Sequence, residues 1–149
     1  MRTGKNGTVA RAIIALAVLL ASGAVARAEL RIVSSPGGEV GSYLRLFAIV
    51  RQSGERVIID GPCLSACTMV LGVIPRERIC VTPRARLGFH AAWHPGENGR
   101  PTPSQGGTQL LMEIYPQHVR RWIARQGGLT QNMKYLTGRE LTSMYRTCR

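Results

Sequence analysis

Long apolar segments and internal repeats are nearly absent from this 149-residue chain. Its one long apolar run, residues 12–25, has about 14 residues, whereas a helix needs roughly 20 to cross a bilayer. No later segment is a better candidate, so a retained membrane anchor is disfavoured. The absence of a repeat excludes a solenoid or tandem architecture.

Acidic and aromatic residues are also scarce: the chain has 8 Asp and Glu against 20 Lys and Arg, and 5% aromatic residues. The formal net charge of +12 is typical of nucleic-acid binders, but the arginines stand singly or in pairs, without the interleaved aromatic residues of a base-stacking surface. Because four positive charges lie in a predicted leader, about +8 remains beyond it. We therefore expect no nucleic-acid binding and interpret the arginines as a solvated surface that attracts anionic cell-envelope partners.

The first 28 residues have the order of a secretory signal peptide. Arg2, Lys5 and Arg11 precede the apolar run, which ends in the small-x-small sequence Ala26-Arg27-Ala28. Cleavage after Ala28 predicts a mature region, residues 29–149, that is long enough for one domain with one hydrophobic core. We therefore predict a periplasmic or secreted single-domain protein that has no membrane contact after signal cleavage.

All four cysteines, Cys63, Cys67, Cys80 and Cys148, lie in the predicted mature region. An even number of cysteines in an exported domain favours disulfides, so we predict at least one bridge. Pairing of Cys67 with Cys80 would tie a helix to the next strand, and pairing of Cys63 with Cys148 would anchor the C-terminal tail. Three connectivities are open, and the sequence does not choose among them.

Strand and helix signals alternate along the mature region, which predicts a largely parallel sheet covered by helices. Residues 93–107 contain three prolines and four glycines and are predicted to form a loop. Strands are predicted at residues 30–33, 56–60, 78–81 and 86–90, and helices at 40–51, at 65–71 with an end at Gly72 or Pro75, at 110–122 and at 138–146.

Three segments carry residues with catalytic potential. The double glycine of Ser34-Ser35-Pro36-Gly37-Gly38 forms either a tight turn or a loop whose free N–H groups face an anion or oxyanion. Ser65 stands where a helix begins and is either an N-cap or a nucleophile beside the positive end of the helix dipole. His90 ends a predicted strand. Together the three segments supply a nucleophile, a general base and oxyanion donors.

In this order, the motifs resemble those of the Clp-type serine peptidases within the wider crotonase-like superfamily. That family has a Ser-Pro-Gly-Gly segment, a Gly-x-x-x-Ser nucleophile turn, a proline-containing connection and a histidine strand. The counterparts here are residues 35–38, residues 61–65, Pro83 and residues 86–90. The resemblance covers residues 30–145 and implies an α/β ClpP-like or crotonase-like fold, a ββα-type spiral with a mainly parallel sheet flanked by helices.

The resemblance also implies roles for single residues. Ser65 would be the nucleophile and His90 its general base, while the N–H groups of Gly37, Gly38 and Ala66 would form the oxyanion hole. The expected function is that of an exported serine hydrolase, a peptidase by resemblance, that takes a peptide or small acyl substrate without a cofactor or metal. A homo-oligomer is compatible with it. A cytoplasmic unfoldase partner is not expected, because the segment that would contact it is missing and the protein is predicted to be exported.

The third catalytic residue of the family, an aspartate, would fall near residue 133, where this chain has none. Its only aspartate is Asp60, which lies before the nucleophile turn. Loss of the orienting carboxylate costs on the order of 10⁴ in turnover when the wrong histidine tautomer results. The site is therefore a Ser-His dyad, a triad completed by Asn132, Glu113 or Glu140, or the remnant of one in a catalytically inactive periplasmic binding or interaction protein.

The cysteines and histidines allow two further interpretations. One interpretation is a zinc site, whose ligands would be the cysteine pair Cys63 and Cys67 and the histidine pair His90 and His94. The exported location favours disulfides instead. A thiol-redox site is disfavoured because three residues, and not two, separate Cys63 from Cys67. We expect these cysteines to clamp the serine turn to its surroundings.

Overall fold

A computed structural model describes residues 28–149 as a mixed α/β fold. The predicted signal peptide, except for Ala28, lies outside the described residues. The strands are short. They are β1 (Glu29–Ile32), β2 (Arg56–Ile59), β3 (Pro62–Leu64), β4 (Ile79–Val81), β5 (Arg86–Phe89), β6 (Trp93–Pro95), β7 (Pro101–Pro103) and β8 (Lys134–Thr137). The strands alternate with helices only in part: β3 follows β2 directly, and β4 to β7 follow one another without an α-helix between them.

The helices lie close to the segments with helical apolar spacing. Short 3₁₀ turns at Arg76–Arg78 and Glu97–Gly99 add to them. The longer helical elements are α1 (Val40–Ser53), a 3₁₀ helix (Ser65–Met69) continued by α2 (Val70–Val73), α3 (Gln105–Ile114), α4 (Gln117–Arg125) and α5 (Gly138–Met144).

Local signals fix both ends of α1. The Glu39 carboxylate accepts hydrogen bonds from the N–H groups of Gly41, at 2.8 Å, and Ser42, at 2.7 Å, and so caps the helix start. Gly54 ends the helix at a φ of 78°, a left-handed conformation that glycine adopts without steric cost. Phe47 and Val50 turn inward and bury the apolar side of the helix.

The strands form three small sheets. The first is wholly parallel with the order β1-β2-β4, and the second has the order β3-β5-β8, in which β3 and β5 are parallel and β8 is antiparallel. Strands β6 and β7 make an antiparallel hairpin. The mainly parallel sheet of the prediction is therefore not confirmed, because β3 moves the chain into a second sheet and β8 returns along β5 in the opposite direction.

Two helix and loop predictions also need correction. The predicted loop at residues 93–107 contains the β6–β7 hairpin and the start of α3, whose N-terminus the Ser104 side chain caps. The predicted helix at 110–122 is two helices that meet at Pro116. Proline lacks the N–H that a continuous helix needs and forces the preceding residue, here Tyr115, into an extended conformation.

The core lies between the sheets and the helices. Aromatic rings fill the space beside β5: the Phe89 ring centroid is 5.4 Å from that of Tyr115 and 5.3 Å from that of Trp122. All three side chains are buried, and such tilted and edge-on ring pairs are favourable beyond the area that they bury. The packing of Tyr115, just after α3, and of Trp122 in α4 against Phe89 fixes strand β5, which His90 follows directly.

Two disulfides join the four cysteines, so the prediction of at least one bridge is confirmed. The bridges are Cys63–Cys67 and Cys80–Cys148, so neither of the two pairings described above is present. Cys80–Cys148 anchors the C-terminal tail to β4, where Val81 also pairs with Thr147. Within residues 28–149, no helix has the length and apolar character needed to span a membrane.

Candidate active site

Ser65 lies at the turn where β3 meets the 3₁₀ helix, with a φ of 55°. This left-handed conformation is unfavourable for a residue with a side chain and persists only when its surroundings impose it. The Ser65 carbonyl accepts a hydrogen bond of 2.7 Å from the Thr68 hydroxyl, and Tyr115 lies 2.6 Å from the same Thr68 oxygen. The main chain of Ser65 is therefore held from inside the core.

The Tyr115 hydroxyl completes this hydrogen-bond chain. Because Thr68 uses its proton on the Ser65 carbonyl, Tyr115 must be the donor to Thr68. Burial raises the pKa of Tyr115 to about 12, so the tyrosine keeps its proton at neutral pH. All three groups of this buried chain are satisfied.

His90 follows β5 and brings its ring to the serine. The distance between Ser65 Oγ and His90 Nε2 is 2.8 Å, and the distance between His90 Nδ1 and the Ala91 carbonyl oxygen is 2.7 Å. A carbonyl only accepts hydrogen bonds, so Nδ1 carries the ring proton and Nε2 has a free lone pair. The serine hydroxyl therefore donates to Nε2, which is the arrangement that removal of its proton requires.

The Ala91 carbonyl is itself held in place. It shares a peptide unit with the Ala92 N–H, which donates to the Thr108 hydroxyl oxygen at 3.0 Å. Thr108 donates in turn to the Ser104 carbonyl at 2.8 Å. On the other side, the Ala91 N–H donates to the Thr130 carbonyl at 2.7 Å. Residues from two other segments thus orient the acceptor behind His90.

Within residues 28–149, none of the three predicted third members makes a hydrogen bond to the His90 ring. Asn132 and Glu113 have exposed side chains, and Glu140 lies on α5, 3.9 Å from Arg125. Position 133, where the resemblance puts the carboxylate, holds a methionine that packs against Gly88 of β5. Sequence reasoning missed the acceptor that takes this place, the Ala91 carbonyl, because a main-chain atom leaves no signal in residue identity.

Asp60 is also not part of the site. Its carboxylate is buried and accepts hydrogen bonds from Thr82, Arg84 and Arg31, the last of these at 2.8 Å. The hydrogen bond from Thr82, followed by those from Arg84 and Arg31, holds the pKa of Asp60 far below its ordinary value. This charge cluster joins β1, β2 and the turn after β4, which is a structural role.

The double-glycine turn lies directly against the serine. The Ser35 N–H donates to the Pro62 carbonyl, and the Leu64 N–H donates to the Ser35 carbonyl, so this turn is paired with β3. Gly37 has a φ of 85°, and a Cβ atom on it would lie 2.5 Å from Ser65 Cβ. Only glycine fits at that position, because both its conformation and its space exclude a side chain.

The predicted oxyanion donors line the same cavity as Ser65 and His90. This cavity has a volume of about 760 Å³, and Gly37, Gly38 and Ala66 are among its lining residues. The Gly37 and Gly38 N–H groups donate to no acceptor within residues 28–149, and Ala66 lies in the first turn of the 3₁₀ helix, where N–H groups have no intrahelical partner. Apolar side chains form much of the remaining wall: Val40, Ala92, Trp93, Leu110 and Leu111.

The Cys63–Cys67 bridge bears on the two alternative interpretations of the cysteines. Because the two sulfurs are bonded to each other, neither offers a thiolate to a zinc site with His90 and His94. The bridge closes on the serine turn itself, whereas we predicted a clamp to the surroundings. Both cysteines are buried.

Comparison with known proteins adds little to this geometry. The chain matches no protein-family model and no curated protein. Among solved structures it is similar to a mutant of ClpP1 from Listeria monocytogenes, with 16% sequence identity and a TM-score of 0.48. The similarity covers 91% of this chain and 80% of that one. At this identity and TM-score, the similarity assigns no chemistry to the site.

Proposed function

We propose that residues 29–149 are an exported serine hydrolase of the Clp-type, crotonase-like class, acting on a peptide or small acyl substrate. Ser65 is the nucleophile, His90 the general base, and the N–H groups of Gly38, Gly37 and Ala66 the oxyanion donors. The support comes from the ordered motifs and from their convergence on one cavity. Two disulfides support the exported location, because such bridges persist in oxidising compartments.

One observation carries the proposal: Ser65 Oγ lies 2.8 Å from His90 Nε2, while His90 Nδ1 lies 2.7 Å from the Ala91 carbonyl oxygen. A serine that only caps a helix has no need of a histidine at hydrogen-bond distance on a separate strand. The left-handed backbone of Ser65 points the same way, since strained residues cluster at functional sites.

The first half-reaction forms an acyl-enzyme. Ser65 Oγ attacks the substrate carbonyl carbon while its proton moves to His90 Nε2, and the carbonyl oxygen becomes an oxyanion that the main-chain N–H groups stabilise. The tetrahedral intermediate collapses when the carbonyl–leaving group bond breaks, and the leaving group takes the proton from Nε2.

The second half-reaction frees the serine. Water attacks the ester carbon and gives its proton to His90 Nε2, and the Ser65 Oγ–carbon bond breaks as Oγ takes the proton back. The product is the acid of the acyl group. No cofactor enters either step.

The Ala91 carbonyl takes over part of the work that a carboxylate does in a complete triad. It holds the Nδ1 proton and so keeps the productive tautomer, but it brings no negative charge to stabilise the imidazolium. A wrong tautomer alone reduces turnover about 10⁴-fold in the serine proteases, and this chain avoids that loss. We expect turnover below that of a complete triad by a smaller factor.

A fluorophosphonate probe tests the proposal, because it labels only a serine that has been activated as a nucleophile. We expect the purified protein to be labelled at Ser65, and Ser65→Ala and His90→Ala to abolish labelling. Ser143→Ala and His118→Ala, which change residues outside the cavity, should leave the labelling rate unchanged. A folded protein that stays unlabelled and hydrolyses no ester or peptide would instead be the binding protein that keeps this fold.

A further inference from the structure

The Cys63–Cys67 disulfide encloses the proposed nucleophile. Only Leu64, Ser65 and Ala66 lie between the two cysteines, and both cysteines are buried. The bridge joins β3, before the serine, to the 3₁₀ helix that follows it. It therefore constrains a segment with Ser65 at its centre.

The constraint acts on the direction of the chain. Four extended residues span roughly 13 Å, whereas the Cα atoms of Cys63 and Cys67 are 5.3 Å apart. The chain must therefore turn sharply between the two cysteines. Leu64 stays extended, with a φ of −111° and a ψ of 153°, so the turn begins at Ser65 with its positive φ.

We propose that the Cys63–Cys67 bridge is a positioning element that holds Ser65 in the left-handed conformation, with its hydroxyl facing His90. This inference rests on the proposed function for its catalytic meaning, although the conformational claim stands without it. The bridge touches no reacting atom; it acts through the backbone of the serine.

The size of the effect follows from the strain. A left-handed residue with a side chain is disfavoured by a factor of about 5 to 30 relative to its right-handed or extended forms. Without the bridge, Ser65 relaxes by at most that factor, because the hydrogen bond from Thr68 still holds its carbonyl. We therefore expect kcat and the rate of fluorophosphonate labelling to fall severalfold, with about 5- to 30-fold as the limit. KM should stay within about twofold, because the cavity walls formed by Val40, Leu110 and Leu111 do not change.

The experiment compares two bridge deletions in the full protein. Cys63→Ala/Cys67→Ala removes the bridge around Ser65, and Cys80→Ala/Cys148→Ala removes the bridge of the C-terminal tail as a matched control. Hydrolysis of p-nitrophenyl butyrate and the labelling rate are measured below both unfolding midpoints. We expect the first variant to lose kcat and the control to keep it, even though the control loses more stability.

A second pair of measurements separates the possible failures. Cys63→Val/Cys67→Ala fills the volume of the missing sulfurs and serves where the alanine variant does not fold. The three-bond N–H to Hα coupling of Ser65, measured by NMR, reports φ whether or not the protein is an enzyme.

The outcomes are distinct. A native protein that is never labelled, but whose Ser65 coupling changes when the bridge is removed, would overturn the proposed function and support the positioning role. Equal labelling rates and equal couplings with and without the bridge would overturn the positioning role alone. The positioning role would also be overturned if both bridge-free variants failed to fold while the Cys80→Ala/Cys148→Ala control folded. The bridge would then stabilise the fold as a whole and not the conformation of Ser65.

Discussion

Gly37 and Gly38 are neighbours with opposite tolerance for a side chain, which offers a sharp test of the site. Alanine at either position keeps the main-chain N–H that would face an oxyanion. At Gly38 a new Cβ would meet only the Tyr43 ring, at an ordinary contact distance of 3.5 Å. At Gly37 it would lie 2.5 Å from Ser65 Cβ and 2.6 Å from the Leu64 carbonyl oxygen.

The difference can be worked from these contacts. At Gly37 the φ of 85° costs an alanine about 1 to 2 kcal/mol, and two contacts shorter than any real Cβ makes force the backbone beside Ser65 to move. A displacement of about 1 Å at a reacting atom reduces the rate about 10²-fold. An alanine at Gly38 meets neither the positive φ nor the short contacts of Gly37. We therefore expect a change in the free energy of unfolding within about 0.5 kcal/mol and an activity within about twofold of the native value.

The assay is the fluorophosphonate labelling rate of Gly37→Ala and Gly38→Ala, measured beside the urea midpoint of each. We expect Gly37→Ala to fold with reduced stability and to label about 10²-fold more slowly, while Gly38→Ala matches the native protein. Equal labelling of both variants would refute the reasoning, because Gly37 would then not determine where Ser65 lies. A large loss at Gly38 alone would assign its contact with Tyr43 a role that the distance does not support.

Three further predictions follow from other contacts. Thr108→Val should slow labelling severalfold with little change in KM and Thr108→Ser should restore the rate, because the hydroxyl orients the peptide that carries the acceptor behind His90. Cys80→Ala/Cys148→Ala should lower the free energy of unfolding by about 4 kcal/mol in urea titrations. Cys63→Ala/Cys67→Ala should lower it by only about 2 kcal/mol, because these cysteines are 4 positions apart and the others are 68 positions apart. Asp60→Asn should be less stable than the native protein at pH 7, and the difference in stability should narrow below pH 3.8. The reason is that the pKa of Asp60 is lower in the folded protein than in the unfolded chain. The stability that the carboxylate adds is therefore complete above the unfolded-state pKa and is lost as the pH falls through the folded-state pKa. The first prediction is contradicted if Thr108→Val labels at the native rate. The second is contradicted if removal of either bridge lowers the free energy of unfolding equally, and the third if the stability difference for Asp60→Asn does not depend on pH.

Apolar spacing predicted the elements that bury a regular face. Helix α1 and strands β1, β2, β4 and β5 lie within two or three residues of their predicted bounds. In α1 the buried side chains follow the helical period, whereas β2, β4 and β5 were predicted from short apolar runs that are buried at consecutive residues. Turn residues, such as Gly54 after α1, mark where these patterns stop.

The missed strands depend on partners that are distant in the sequence. Strand β3 begins with Pro62, a residue that argues against a strand. It forms because it pairs with β5 on one side and with Ser35 on the other, and a proline at the first residue of a strand loses no required hydrogen bond. Strand β8 carries a single fully buried residue, Leu136, and is defined by its pairing with β5. In the β6–β7 hairpin, prolines occupy both strands because its edges need few N–H donors.

The disulfide connectivity lay beyond the sequence for a similar reason. The three pairings differ only in which Cα atoms come within about 5 to 6 Å of one another. The pairing of Cys80 with Cys148 is decided by the last residues, which run beside β4 as Thr147 bridges to Val81. Cys63 and Cys67 are then the two cysteines that remain, and their Cα atoms lie 5.3 Å apart.

The proposed nucleophile and base could be found from residue types, and the third partner could not. Ser65 and His90 are chemically distinctive and follow recognisable turns, whereas the atom that fixes the tautomer of His90 belongs to the main chain of Ala91. Every residue has such a carbonyl, so residue types alone could not point to this one. The physical requirement is an acceptor at Nδ1 that stays in place. The Ala91 carbonyl is such an acceptor, because hydrogen bonds to Thr108 and Thr130 hold the peptide units on either side of Ala91.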